Sequence, residues 1–356
     1  MYVFMLTKDL NFDLPKKLIA QFPTQQRDHS RLLVFNRATQ NLSHHYFYEL
    51  PKLLPTNLSI LRNNVAVLKA RLIGKRPSGG IVECLLLKEH ASSKLVWKCL
   101  IKPGYKAAKS KIFGIENEYT AEILESLPSG EYIVKFNLSK DDDPTELAQR
   151  MGSIPLPPYI QRQSKKEDDE RYQTIYANNK NTSAIAAPTA GLHFTNKIFE
   201  DLVEKGHQIF DLTLSVGLGT FRPIGTEEVE DHVMHSEEYT INPLTKSILR
   251  NKKMKRLAIG TTCVRAIEHY LKNDDQDMEK SVKTESNLFI RPPFNFLGVD
   301  HLLTNFHLPG STLLCLVGAF LSPSESDGIE TLKKIYKEAI KSNYRFFSYG
   351  DSMLIL

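Results

Sequence analysis

Apolar residues along this 356-residue chain keep two different periods, and the change between them divides the sequence. In the first part they crowd into short runs: "RLLVFNR" (31–37), "GIVECLLLK" (80–88), "KLVWKCLIKPG" (94–104) and "GEYIVKFNL" (130–138). Branched and aromatic residues bounded by Gly, Pro, Ser and Asn are the pattern of strands. "PSGG" (77–80) marks a turn, and "ELPKLLPTN" (49–57) a short helix or turn between prolines. Several short strands at close spacing predict a compact antiparallel barrel or sandwich.

The period then lengthens. "DPTELAQRMG" (143–152) predicts a short helix with Asp143 or Thr145 near its start; "SIPLPPYIQRQ" (153–163) is a proline-rich boundary and "SKKEDDERY" (164–172) a charged loop. After residue 183 strands and helices alternate. "HQIFDLTLSV" (207–216), "RLAIG" (256–260) and "VDHLLTNF" (299–306) read as strands. "HFTNKIFEDLVEKG" (193–206), capped by Thr195 and ended by Gly206, reads as a helix. So do "TTCVRAIEHYLK" (261–272), "GSTLLCLVGAFL" (310–321) and the amphipathic "IETLKKIYKEAIKSN" (329–343). Such alternation predicts an α/β layer. The expected fold is α/β with α+β character: a larger mixed-sheet domain from residues 1–65 and 156–356, with a small antiparallel β-barrel inserted at 66–155.

Composition narrows the setting. Hydrophobic residues make up 41% and charged residues 24%, ordinary for a chain with a real core. No apolar run reaches the length of a membrane span, and no leader is read at the start. Cys84, Cys99, Cys263 and Cys315 are scattered, which predicts reduced thiols in a cytoplasm. A net charge of +5 permits an anionic partner without demanding one.

Two familiar motifs fail. "SVGLGTFRP" (215–223) holds G-x-G after a strand, but Arg222 and Pro223 stand where a dinucleotide loop needs its third glycine and a helix. "DHVMHSEEY" (231–239) spaces His232 and His235 three apart beside Asp231, Glu237 and Glu238, which would offer metal ligands if helical. Only local ligands are visible, so no metal is expected.

Four stretches that follow or flank strands survive as candidates: "AAPTAGLHF" (186–194), "VGLGTFRP" (216–223), "IGTTCVRAIE" (259–268) and "TNFHLPGST" (304–312). All lean on Gly, Thr, Ser, Pro, His and Arg. In α/β layers the ligand crevice forms at the carboxyl ends of strands. In "IGTT", Gly260 permits a turn while Thr261 and Thr262 can cap the next helix. Small residues such as those of "AAPTAG" let a backbone approach a ligand closely, or fill a tight core.

These stretches carry a resemblance. With "FDLP" (12–15), "RDHSRLLV" (27–34), "MGSIPLPPYI" (151–160), "ERYQTIYA" (170–177), "LLTNFHLPGSTLL" (302–314) and "YRFFSYGDSMLI" (344–355), they resemble the S-adenosylmethionine:tRNA ribosyltransferase-isomerase family of queuosine biosynthesis. The likeness runs nearly end to end and is weakest in the strand-rich middle. It implies an α/β domain interrupted by a β-barrel. It also implies transfer and isomerisation of the ribosyl part of S-adenosylmethionine onto 7-aminomethyl-7-deazaguanine at the tRNA wobble position, with adenine and methionine released. S-adenosylmethionine is then a consumed co-substrate, and neither a cofactor nor a metal is implied. A monomer is expected.

That chemistry asks for a base, an acid, donors for the methionine carboxylate and a cationic surface. His193, His235, Glu237 and His307 are the candidate catalytic residues, with a structural histidine as the standing alternative. Thr189, Gly191, Gly217, Gly219, Arg222, Thr261, Thr262 and Arg265 are expected at S-adenosylmethionine. Arg222 or Arg265 would hold the carboxylate bidentately, or else form an ion pair. Arg27, Arg31, Arg71 and Arg345 are expected at tRNA phosphates. Phe194, Phe306 or Tyr349 would stack on a base, or else fill the core.

The chain departs from the family's pattern in places. In "NNVAVLKAR" (63–71), Asn64, Val65 and Ala66 stand where the family has Asp, Thr and a basic residue; Ser215 replaces a His. The alternative expectation is therefore a catalytically impaired relative that still binds tRNA.

Overall fold

The computed structural model describes residues 5–356, apart from 218, 220–222, 274 and 276 and the side chains of 180–183. A nine-stranded mixed sheet runs in the order Val282–Ser286, Glu237–Ile241, Gln208–Leu214, Ser59–Asn63, Arg256–Ile259, His301–Asn305, Ser352–Ile355, Arg31–Asn36, Asn41–Tyr46. The strands from Gln208–Leu214 through His301–Asn305 are parallel; Ser352–Ile355 pairs antiparallel to His301–Asn305 and parallel to Arg31–Asn36.

Side chains alternate across a strand, so each central strand feeds two cores. Leu33 and Phe35 pack with the helices Thr261–Lys272, Thr312–Leu321 and Gly328–Lys341, while Leu32 and Val34 pack on the other face with Asn196–Glu204. Thr312–Leu321 is apolar all round because it is buried all round.

The strands Arg71–Lys75, Ile81–His90, Ser93–Lys102, Ile112–Ile115, Tyr119–Ser126 and Tyr132–Leu138 close into an antiparallel barrel. The helix Pro144–Met151, capped by the Asp143 carboxylate on the N–H groups of Thr145 and Glu146, packs Leu147 and Ala148 into the barrel's core. Residues 66 and 67, taken with the barrel on sequence, pair instead with the strand Asn178–Ala184.

Two local expectations differ. The "charged loop" at 164–172 contains a short helix, Asp168–Arg171, whose Asp168 is buried. Arg162 grips that carboxylate at 2.6 and 2.8 Å and the Tyr349 hydroxyl donates to it at 2.7 Å. A local run of charge does not reveal a distant partner. The helix Thr261–Lys272 is not capped by a threonine: Gly260 holds the cap position at φ +89°, a conformation open to glycine, and no side chain caps it. The stretch 231–239, which would offer metal ligands only if helical, runs from a single turn at Val229–Asp231 into the strand Glu237–Ile241.

Candidate functional site

The loops at the carboxyl ends of the parallel strands meet. Ala187–Ala190, Gly260–Thr262 and Thr304–Leu308 surround a small inner pocket of about 60 Å³, joined by Val216, Tyr159, Phe347 and Ser348. Val216 also lines a larger cleft of about 600 Å³ between this end of the sheet and the barrel. Ser215, Gly217, Gly219, His235 and Glu237 form one wall of the cleft, and Lys88, Trp97, Lys98 and Glu131 of the barrel form the other. The two hollows are neighbours through a single loop.

The inner pocket rests on a buried polar chain. Ser30 Oγ is 2.7 Å from His193 Nδ1, His193 Nε2 is 3.2 Å from Asn305 Nδ2, and Asn305 Oδ1 accepts from the Thr189 hydroxyl at 2.9 Å. Thr189 and Asn305 line the pocket, whereas His193 lies behind them against the Phe47 ring. Burial, with Arg345 and Arg27 nearby, pushes the His193 pKa down to about 3. A neutral ring held on both nitrogens orients its neighbours. His307 does line the pocket; its Nε2 is 2.9 Å from Thr304 Oγ1, and burial pushes its pKa down to about 3.

In the cleft, Glu237 is buried and paired with Arg265. The other Glu237 oxygen accepts from the Gly217 N–H at 3.3 Å. Arg265 completes its bonds on the carbonyls of Leu288 and Ser286, at 3.3 and 3.2 Å. It thus faces inward, as the ion-pair alternative expected, and holds no open carboxylate position. Gly219 lies against His235: a Cβ there would meet the ring's Cδ2 at 1.7 Å. His232 and His235 stand 6.5 Å apart between ring centres. Among the described residues no group of three or more His, Cys, Asp or Glu is placed to hold a metal ion. Arg222 lies outside the described residues.

The remaining expected residues sit as follows. Thr261 and Thr262 line the inner pocket. Gly191 does not line it: a Cβ there would meet the Tyr176 hydroxyl at 2.0 Å, so its smallness serves packing. Arg27 donates to the carbonyls of Glu170, Gln173 and Leu192 at 2.7, 2.9 and 3.1 Å, which makes it a clamp between chain segments. Arg31 donates to the Ser342 carbonyl and lies over the Tyr344 ring at 3.8 Å. Arg71 faces Glu83 at 3.6 Å, and Arg345 faces Asp351 at 3.2 Å. Phe194 is core, stacked on Phe199 at 4.7 Å, and Tyr349 is committed to Asp168. Phe306 is buried and lines the inner pocket.

Sequence reasoning missed Asn305, Ser30 and Tyr159. Asn305 carried a signal, since it ends a strand inside a singled-out loop. Ser30 lies in the matching stretch 27–34, but nothing there signalled its partner, which lies 163 residues away.

Comparisons with known proteins match the chain over nearly its whole length. A family model described as "Queuosine biosynthesis protein" matches residues 7–355. The chain is 43% identical to S-adenosylmethionine:tRNA ribosyltransferase-isomerase of Desulfitobacterium hafniense, over 99% of this chain and 100% of that protein. It is 40% identical to the protein of the same name from Sulfurimonas denitrificans, over 99% and 98%. A crystal structure of S-adenosylmethionine tRNA ribosyltransferase from Thermotoga maritima is similar with a TM-score of 0.53 and 33% identity, over 98% of this chain and 100% of that one.

Proposed function

The chain belongs to the queuosine biosynthesis protein family, and from that membership we propose that it transfers and isomerises the ribosyl moiety of S-adenosylmethionine onto 7-aminomethyl-7-deazaguanine at the tRNA wobble position. Epoxyqueuosine in tRNA, adenine and methionine are the products. The chain is an enzyme, a transferase-isomerase acting on S-adenosylmethionine and tRNA. No helix among the described residues is long and apolar enough to cross a membrane, and a cytoplasmic monomer is the setting proposed.

The observation that carries the assignment of a site is the meeting of separate polar loops at Val216. The cleft's volume, about 600 Å³, falls within the ~300–1,000 Å³ typical of small-molecule sites. The inner pocket, at about 60 Å³, has room for a few waters or one small group. We therefore assign S-adenosylmethionine to the cleft, beside Gly217 and Gly219, with its reacting end toward Thr189, Thr261, Thr262 and His307. The sulfonium acidifies the neighbouring C5′ protons, so one base suffices to begin the reaction. His235 is the candidate base, being the imidazole that lines the cleft. Glu237 and His193 take positioning roles: one holds the glycine loop, the other holds Asn305.

The impaired alternative loses its support. Val65 and Ala66 are fully buried in the core, so apolar side chains there follow from packing. Asn64 Oδ1 accepts from the Thr213 hydroxyl at 2.7 Å, a bond that an aspartate would also accept.

The test is incubation with S-adenosylmethionine and tRNA bearing the aminomethyl base. Free adenine, methionine and an epoxide-bearing nucleoside are expected. S-adenosylhomocysteine, or tRNA binding without turnover, would overturn the assignment.

A further inference from the structure

Tyr46, Phe47 and Tyr48 are consecutive, yet they face opposite ways. Phe47 is fully buried with its ring 5.0 Å from that of His193, while Tyr46 and Tyr48 are 47% and 46% exposed. The two outer rings stack on each other, 5.5 Å between centres and 6° from parallel, and His29 continues the row 5.3 Å from Tyr48. Parallel tyrosines half in water are an unusual use of apolar surface, and nothing within the described chain covers them.

The acids beside this row are already committed. Glu49 accepts from the Tyr46 N–H at 2.8 Å and faces His45 at 3.6 Å; Asp28 faces His29 at 3.0 Å and accepts from Thr195 at 3.2 Å. The helix Gly328–Lys341 meets the strand Asn41–Tyr46 through Glu338 and His44. On the helix Gly328–Lys341, Lys334, Lys337 and Lys341 are exposed at a spacing that puts them on one side. Glu338 shares that side but bonds the Ser342 hydroxyl at 2.8 Å and faces His44 at 3.9 Å. The helix ends at the tyrosine row: Arg31 bonds the Ser342 carbonyl and pairs in register with Tyr46, and His44 meets the Tyr344 hydroxyl at 2.9 Å.

We propose that the stacked Tyr46–Tyr48 pair is a platform for an unpaired base of the tRNA substrate, with the Lys334–Lys337–Lys341 stripe leading the RNA backbone to it. Aromatic rings that stack bases beside a track of cations are the physical recipe for gripping single-stranded nucleic acid. The placement fits: His29 precedes Ser30, which is bonded to His193, and Phe47 packs on His193 from the same segment. A base seated outside on Tyr46 and Tyr48 is thus held to the element that braces the inner pocket. The proposal rests on tRNA being the substrate, and it assigns the contact to the tyrosine pair and the lysine stripe rather than to the arginines first expected there.

The test compares Tyr46→Ala/Tyr48→Ala, Tyr46→Phe/Tyr48→Phe and Lys334→Glu/Lys337→Glu with the parent protein. The probes are tRNA and a blunt RNA duplex of equal length, measured by fluorescence anisotropy across a salt series. The alanine pair should weaken tRNA binding about tenfold or more while barely changing duplex binding. The phenylalanine pair should bind like the parent, since it keeps the stacking faces and reports on folding. The glutamate pair should weaken both probes and flatten the salt dependence. Parent protein that binds tRNA, with an alanine pair that binds it equally well, overturns the platform alone. Parent protein that prefers tRNA no more than duplex overturns the premise as well.

Discussion

The Nδ2 of Asn305 stands 3.2 Å from the Nε2 of His193. An amide nitrogen only donates, so Nε2 is the acceptor and the imidazole carries its proton on Nδ1, toward Ser30. The ring is neutral and braced on both sides. Asn305 shares its two amide hydrogens among His193 and the carbonyls of Phe347 and Asp351, at 3.4 and 3.2 Å. Asn305→Ala would strip partners from three buried acceptors and release Thr189. We expect a loss of about 1–3 kcal/mol in unfolding free energy by urea titration. A variant as stable as the parent would remove Asn305 from its place as the pocket's support.

Acid should destabilise the fold through two histidines. Burial lowers both His193 and His307 from 6.5 to about 3. A lowered histidine means that the unfolded chain binds more protons between those values. The stability is therefore intact above pH 6.5 and lost as pH falls toward 3. By pH 5 the cost is about 2 kcal/mol for each ring, at ~1.4 kcal/mol per unit. Unfolding free energy measured from pH 7 to 5 should fall steeply in the parent and less steeply in His193→Gln. A flat parent profile would falsify the assignment of both rings as buried and neutral.

Glu237 and Arg265 should fail singly and recover together. Each is buried, and each is the other's counter-charge. Removing one leaves an uncompensated charge, typically costing ~3–5 kcal/mol. Glu237→Gln and Arg265→Met should each lower the urea midpoint markedly, and the double variant should regain much of the loss. Equal loss in single and double variants would mean that the pair's carbonyl and Gly217 bonds matter more than its charge.

The fold was legible wherever one element announced itself. Thr195 and Asp143 accept from helix N–H groups as their positions suggested, and the strand runs at 80–88, 94–104 and 130–138 join the barrel. Which loops would meet was also readable, because strand ends in an α/β layer converge. The partners of individual side chains were not. Arg27 binds carbonyls 143 to 165 residues away, and a guanidinium that clamps carbonyls looks, in sequence, like one that meets phosphate. Gly260 reads as permitting a turn and does supply a positive φ, whereas Gly191 reads as small for a ligand's sake and instead makes room for Tyr176.

Arg27 separates those two meanings experimentally. Its charge sits on three carbonyls, and burial holds its pKa below the usual range. Arg27→Ala should cost about 2 kcal/mol or more in stability, since hydrogen bonds to a charged group are worth ~1.5–3 kcal/mol. It should leave the salt slope of tRNA binding unchanged. A slope reduced by about one unit would instead make Arg27 a phosphate contact.

Gly219 and His235 supply the sharpest test of the cleft. A methyl at 219 would overlap the His235 ring at Cδ2 and Nε2, at 1.7 and 1.9 Å, so the ring must turn away. If His235 is the base, Gly219→Ala should lower kcat/KM at least tenfold, a loss of ~1.4 kcal/mol or more in transition-state stabilisation. The same substitution in a His235→Ala background meets no ring and should cost little further. Double-mutant coupling is the quantity to measure, because Gly219 also lines the cleft and a purely steric block of S-adenosylmethionine would persist without the histidine. Additive losses would detach the glycine's smallness from His235 and return it to the ligand.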